Sequence, residues 1–338
     1  MASRYRPLVL LLAAACALVA CGDDGVDGSS VTSAFATETT ASATTVPATV
    51  APPPTEAAEF PRTVSGAAGD VEIPARPERV IATGAQVDLD SVVVLGIEPV
   101  AAGTFFGTPP PWLADAVGDA VLFDVNDTNL EQVAELGPDL IIGPADVLEP
   151  LADRLGELAP TLLVDTAVPW RTNLETIARA TGREAEAAAF LAEFDDAVET
   201  ARADAQPYGE TTVSAITVGP DGSVLALAAR SSIGEALALL GVPRVEGQDA
   251  DTEFIPIAEE LLGSLDGHLI FVYHSPFLAT QWEELSTSAV WQSIPAVADG
   301  RVVVSTGSQW FFATPQAVRI AVETVVGEVL EPGVGDGG

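Results

Sequence analysis

The chain has 338 residues, room for two domains, and carries 49 acidic against 14 basic residues for a formal charge of −35; every basic residue is an arginine. A field of that sign repels nucleic acid and anionic lipid surfaces, which sets both aside as partners. With 48% hydrophobic and 19% charged residues, the acidity does not describe a disordered acidic tail; it belongs to the surface of a folded body.

The N-terminus reads as a targeting segment. Arg4 and Arg6 precede an apolar run from Leu8 to Val19 that is too short to span a bilayer comfortably. Leu18-Val19-Ala20-Cys21 resembles a bacterial lipobox, in which residues 1–20 are removed and the thiol of Cys21 takes lipid. The other reading is an ordinary secretory signal cut near Ala20. Cys16 falls in the removed segment, so the mature chain keeps only Cys21, with no disulfide framework and no cysteine metal site. The rest of 21–60 is rich in Ser, Thr, Ala, Gly and Pro and has no apolar period. It reads as a disordered tether with a reach of roughly 35 Å.

From about residue 61 short apolar strands alternate with helices. The pattern predicts strands over 77–84, 99–103, 121–123, 139–143 and 161–164. Helices are predicted over 86–95, 130–136 and 148–158, with Gly96 and Gly137-Pro138 as stops. A second half repeats the plan. Strands over 213–218 and 224–227 flank a Pro220-Asp221-Gly222 turn, and a helix over 233–240 ends at Gly241. A helix over 257–265, strands over 269–273 and 301–305, and a final helix from Thr314-Pro315 to about 330 complete it, with 331–338 as a fraying tail. This alternation predicts an α/β protein with mostly parallel sheets covered on both faces.

Between the halves, 172–206 is helical in period but interrupted at Gly182. Leu174, Ile177 and Ala178 precede the break; Ala187, Phe190, Leu191, Phe194, Ala197, Val198 and Ala201 follow it. The second piece, from about 183 to 205, is roughly 35 Å long. It reads either as the connector of a bilobal protein with a cleft or as a surface helix of one larger domain. The first reading gives lobes at 61–171 and 207–332.

Four stretches carry a resemblance. They are Phe60-Pro61-Arg62-Thr63-Val64 with Pro77-Glu78-Arg79-Val80; Leu95-Gly96-Ile97-Glu98-Pro99-Val100; Leu130-Glu131-Gln132-Val133-Ala134-Glu135-Leu136-Gly137-Pro138-Asp139-Leu140-Ile141-Ile142; and Trp291 followed by Ile294-Pro295-Ala296-Val297-Ala298-Asp299-Gly300-Arg301-Val302. In this order, after a lipobox-like segment and a tether, the chain resembles class III periplasmic-type solute-binding proteins of the branch that feeds iron–siderophore ABC importers. The resemblance implies two Rossmann-like lobes joined by a single long α-helix, with the ligand in the cleft between them.

Ligands of open α/β sheets lie at the carboxyl ends of strands, so the candidate residues are on the loops there. These loops are 83–86, ending in Gln86, then 104–112 and 143–146 in the first half, and 230–232, 273–277 and 308–312 in the second. Phe105, Phe106 and Trp112 suit stacking against a chelate, or plug the core of their own lobe. Of Trp310, Phe311 and Phe312, at least one is expected in the cleft and the others in the core. Tyr273-His274 closes an apolar strand, so one of the two should face the cleft; His268, at the other end, reads as structural. Arg230 precedes a helix; the resemblance implies a contact with an anionic chelate, the alternative being a surface ion pair. Glu131 and Glu259, with Glu260 as the neighbouring choice, each open a helix before a strand. The resemblance implies that one glutamate per lobe docks into arginine pockets of the permease; plain helix-start residues are the alternative.

Two histidines are too few for capture of a bare metal ion. No nucleophile elbow or phosphate loop is present, so neither an enzyme nor a resident cofactor is expected. The resulting expectation is a monomeric, lipid-anchored receptor that delivers a ferric siderophore to an ABC importer. With one cleft arginine, a neutral or weakly anionic hydroxamate-type chelate fits better than a highly charged catecholate. The alternatives are haem, which Tyr273 and His274 could ligate, cobalamin, or a surface adhesion or signalling module on the same fold.

Overall fold

A computed structural model describes residues 59–334 apart from Phe106 and Asn126. The signal segment, Cys21, nearly all of the tether, Phe106 and the last four residues therefore lie outside the described residues.

The first lobe begins with an antiparallel hairpin of β1 (Arg62–Gly66) and β2 (Gly69–Ile73). It continues through β3 (Val80–Ala82), α1 (Val87–Val94), β4 (Ala101–Thr104), α2 (Ala114–Val117), β5 (Val121–Asp124) and α3 (Leu130–Leu136). β6 (Leu140–Pro144), α4 (Ala145–Leu148), α5 (Ala152–Gly156) and β7 (Thr161–Val164) complete it. Strands β3 to β7 form one parallel sheet in the order β5-β4-β3-β6-β7. β3 and β6 are buried along their whole length, as strands with helices on both faces must be. The chain leaves β3 toward one edge and returns to β6 on its other side. The loops after β3 and β6 therefore lie together at the carboxyl edge, where open sheets bind ligands. Gly143 is required there, because a Cβ would collide with Thr83 Oγ1.

The connector is α6 (Trp170–Thr181) and α7 (Glu184–Ala205). Gly182, at φ 67°, ends α6 in the left-handed conformation that glycine adopts without strain. The 22 residues of α7 span about 33 Å. Ala187, Phe190, Phe194, Val198, Ala201 and Ala205 form its buried stripe, the spacing of an amphipathic helix. The helical connector thus starts at Trp170, two residues earlier than the period indicates.

The second lobe contains β8 (Val213–Val218), β9 (Val224–Leu227), α8 (Ser232–Leu240), β10 (Phe254–Ile257) and β11 (Leu269–Tyr273). After these come α9 (Ala279–Thr287), α10 (Ala289–Gln292), α11 (Pro295–Ala298), β12 (Val302–Ser305), α12 (Pro315–Val325) and α13 (Glu331–Val334). Its sheet order is β10-β9-β8-β11-β12. β8, β11 and β12 are parallel, and β9 runs against both of its neighbours.

Several local expectations are corrected. The helix read over 148–158 is broken into α4, a 3₁₀ turn over Glu149–Leu151 and α5; Pro150 has no N–H to continue it. Ile257 ends a strand, and Glu259–Leu265 is a 3₁₀ segment rather than an α-helix. The final helix changes at Val326–Leu330 to a wider π turn ahead of Pro332, which lacks an N–H. The tail does not fray at once: α13 packs on β11 and β12, with Gly333 against Leu269.

One hydrophobic cluster runs through the whole body. It passes from Val80 and Leu140 in the first sheet, through Leu174 and Phe194 in the connector, to Val213, Phe271 and Trp310 in the second lobe. α12 packs on α1, α6, α7 and α8. The lobes therefore share a packed helical layer in addition to the long helix.

Candidate functional site

Between the lobes, at the carboxyl edges of both sheets, lies a cavity of about 400 Å³. The first lobe contributes Ala85 and Gln86 after β3, with Phe105 and Thr108 to Pro111 after β4. The second contributes Tyr273 to Phe277 after β11, excepting His274, and Thr306, Ser308, Phe311 and Phe312 after β12. None of the fifteen lining residues among those described is charged. Five aromatic rings and four prolines form the walls, and hydroxyls with the Gln86 amide supply the polar groups.

Local structure holds these groups in place. Asp88, fully buried on α1, accepts a hydrogen bond from Gly84 N at 3.0 Å and so fixes the loop that presents Gln86. Burial pushes the Asp88 carboxyl up to about 7 against the hydrogen bonds that lower it. Gln86 Oε1 is buried without a hydrogen-bond partner among the described residues, an acceptor left for a ligand donor. Phe105 stacks on Phe312 across the lobes, with centroids 6.0 Å apart and planes at 16°. Phe312 is held by its carbonyl, which accepts from Ser232 Oγ at 2.6 Å. Phe311 packs on Phe254 and Tyr273 at 4.8 and 5.5 Å. Tyr273 is 7% exposed, and burial pushes its phenol up to about 12, so it stays a neutral donor at every physiological pH.

The other candidates lie elsewhere. His274 does not line the cavity; its ring stacks on Trp282 at 6.0 Å and its Nδ1 lies 3.2 Å from the Ser275 carbonyl. Trp310 is fully buried; its Nε1 donates to Ser305 Oγ and its ring packs edge-on to Phe271. Trp112 is half-buried against the main core. Arg230 lines a separate cavity of about 270 Å³ with Trp170, Glu235, Asp251 and Glu253. Its guanidinium donates to the Ala167 carbonyl and lies 3.7 Å from Asp251. Burial raises the carboxyls of Glu235 and Glu253 there; Trp170 Nε1 donates to Glu235 at 2.8 Å. His268 is hydrogen-bonded to Thr212. Among the described residues, no group of three or more His, Cys, Asp or Glu side chains is placed to hold a metal ion.

Glu131 and Glu259 are exposed, and their positions correspond. Each opens the helical segment that follows an edge strand, β5 or β10, which runs in the direction of its sheet's parallel strands. Asn129 caps α3 by accepting from the N–H groups of Glu131 and Gln132.

The sequence reading passed over Phe277, the Pro109 to Pro111 run and Thr306. The first two sit inside the loops at strand ends, and their signal is apolar residues where no strand or helix period runs. It also passed over Asp88 and Asp90, whose signal was a pair of carboxylates within an otherwise apolar helix.

Two α/β lobes over a shared helical layer, with an uncharged aromatic cavity where their strands end, have the architecture of a solute-binding protein. The chain belongs to the periplasmic binding protein family, whose model matches residues 81–308. It is similar to the probable siderophore-binding lipoprotein YfiY of Bacillus subtilis, with 28% identity over 71% of this chain and 78% of YfiY. The Fe(3+)-citrate-binding protein YfmC of the same organism is 25% identical over 74% of this chain and 79% of YfmC. The fold is similar to that of Staphylococcus aureus SirA complexed with staphyloferrin B, with a TM-score of 0.70 and 23% identity over 80% of this chain and 98% of SirA.

Proposed function

We propose that this chain is the extracytoplasmic receptor of an ABC importer and captures a ferric siderophore in the cleft between its lobes. The observation that carries the reading is the cavity of about 400 Å³ walled by aromatic rings from both lobes, in a chain similar to receptors named for ferric chelates. A ferric chelate encloses its metal in an organic shell, so the protein needs ring faces and a few hydrogen-bonding groups rather than metal ligands. Phe105, Phe311 and Phe312 supply ring faces, Tyr273 a phenol donor and Gln86 an acceptor. The iron is cargo, and the receptor performs no reaction on it.

Cys21 is the lipid-anchored residue in this reading, and residues 22–60 tether the body to the outer face of the cell membrane. Glu131 and Glu259 dock the two lobes onto the permease, which the receptor meets as a monomer. Their matching positions after the two edge strands support that role. Haem ligation by Tyr273 together with His274 is not supported, since the His274 ring packs on Trp282 away from the cavity.

The test is tryptophan-fluorescence titration of the purified chain against ferric siderophores, haem and cobalamin. At least one ferric siderophore should bind with a Kd of about 1 µM or tighter, roughly −8 kcal/mol. Binding of haem or cobalamin alone, or of none of them, overturns the reading.

A further inference from the structure

We infer that this cleft selects among ferric chelates by charge: it accepts electroneutral complexes of the trihydroxamate kind and rejects polyanionic ones. The inference rests on the proposed function and sharpens it to one ligand class. Three hydroxamates, each carrying one negative charge, neutralise Fe(III). Three catecholates, each carrying two, leave a complex of charge −3, and citrate complexes are anionic as well. An anion taken from water into a cavity needs partners of opposite charge, or it loses its hydration without compensation.

This cavity offers no such partner. Its fifteen described lining residues include no Arg, Lys or His. Phe106 and Asn126, outside the described residues, are uncharged by sequence. Of the fourteen arginines, Arg4 and Arg6 precede the described body, and none of the other twelve lines the cavity. Arg230, the candidate cation of the cleft, is engaged elsewhere. It donates to the Ala167 carbonyl and shares its own small cavity with Glu235, Asp251 and Glu253, three carboxylates to one guanidinium. Drawing it toward a ligand breaks that bond and leaves a cluster of carboxylates behind. Both histidines are also placed away, His268 on Thr212 and His274 on Trp282.

The long-range field acts in the same sense. With a net charge of −35, the protein repels a trianion at a distance and slows its encounter, an effect that salt screens. A neutral complex feels neither penalty. It can use the ring faces, the Tyr273 hydroxyl and the Gln86 carbonyl, groups that recognise dipoles rather than ions. YfmC is named for ferric citrate; this cavity provides no counter-charge for such a ligand.

The experiment titrates the purified full chain with three probes: a ferric trihydroxamate of charge zero, a ferric tris-catecholate of charge −3, and ferric citrate. The neutral complex should bind at least about 100-fold more tightly than either anion. Its affinity should be unchanged between 50 and 500 mM salt, roughly a threefold change in screening length. A cation introduced by Thr306→Arg, at an exposed lining position, should raise tris-catecholate affinity about 10-fold or more. Equal or tighter binding of the anions by the unaltered chain overturns charge selection and leaves siderophore capture standing. A Thr306→Arg variant that keeps the wild-type Tm but gains nothing for the trianion also overturns it. Failure of all three probes removes the proposed function itself.

Discussion

Asp90 ties the two lobes together, and removing it tests how they are coupled. It lies on α1 of the first lobe and is fully buried. Its Oδ2 accepts from the Thr314 hydroxyl, from Gln316 N at 3.0 Å and from Ala317 N at 3.4 Å, at the start of α12. Thr314 makes no capping bond with its own side chain. Asp90 therefore gives α12, from across the fold, the acceptor that an N-cap residue would give. In Asp90→Ala those donors lose a charged acceptor, at about 1.5–3 kcal/mol for each good bond. Alanine also avoids burying a charge: desolvation outweighs those bonds and holds the Asp90 carboxyl at about 6 rather than 3.8, so part of their worth at pH 7 is offset. The net loss at pH 7 is roughly 2–5 kcal/mol, a fall in Tm of about 5–15 °C for a fold of this size. Thermal unfolding followed by circular dichroism measures it. The sign with pH follows from the raised value. The folded state holds the proton more tightly, so the contribution is full below 3.8 and is lost as pH rises through about 6. The stability gap between wild type and Asp90→Ala should therefore widen by about 1.4 kcal/mol from pH 7 to pH 5. Asp88, pushed up to about 7, titrates in both proteins and drops out of the difference. A Tm loss under about 2 °C, or a gap that narrows on acidification, would refute the coupling.

Phe105→Ala removes the interlobe stack with Phe312 and should weaken ligand binding about 3- to 10-fold; an unchanged titration would take Phe105 out of the site. Cys21→Ser should move the protein from the membrane to the soluble fraction without changing its Tm; equal membrane association of variant and wild type counts against the anchor. Because the lobes share a packed helical layer, ligand-induced closure should be limited to about a few degrees. Small-angle scattering with and without ligand checks this, and a clear drop in radius of gyration contradicts it. Glu131→Ala with Glu259→Ala should leave ligand affinity intact yet reduce cellular uptake more than the charge-matched tether pair Glu38→Ala with Glu56→Ala. Equal uptake by the two double variants returns both glutamates to the role of helix-start residues.

Much of the architecture is written in local pattern. β3, β6 and β11 are continuous apolar runs because both of their faces are covered, and such runs are read without tertiary knowledge. The stop at Gly182 and the buried stripe of α7 are legible for the same reason, since a helix period and a glycine stop are local properties. β10 escaped because Pro256 sits inside it, which speaks against a strand until the sheet order puts it at an edge, where the missing N–H costs little.

The site was legible only as a set of loops. Strand ends indicate where a ligand can lie, and the aromatic residues of 104–112 and 308–312 stood out within those loops. Direction was beyond local pattern. Tyr273 and His274 are neighbours, yet one lines the cavity and the other packs on Trp282, because successive residues at a strand end point to opposite sides. Arg230 reads as a cleft cation until the fold brings the Ala167 carbonyl and three carboxylates around it. Asp90 reads as one more acidic residue of an acidic chain until α12, more than two hundred residues later, delivers its first turn to that carboxylate. The sequence by itself determined the α/β plan, the helical connector and the loops that hold the site, all of which follow from short apolar runs, the helix period of 3.6 residues and glycine stops. Only the tertiary structure decided which charges are consumed inside the protein and which side chains face the cavity, because both depend on contacts between segments far apart in the chain.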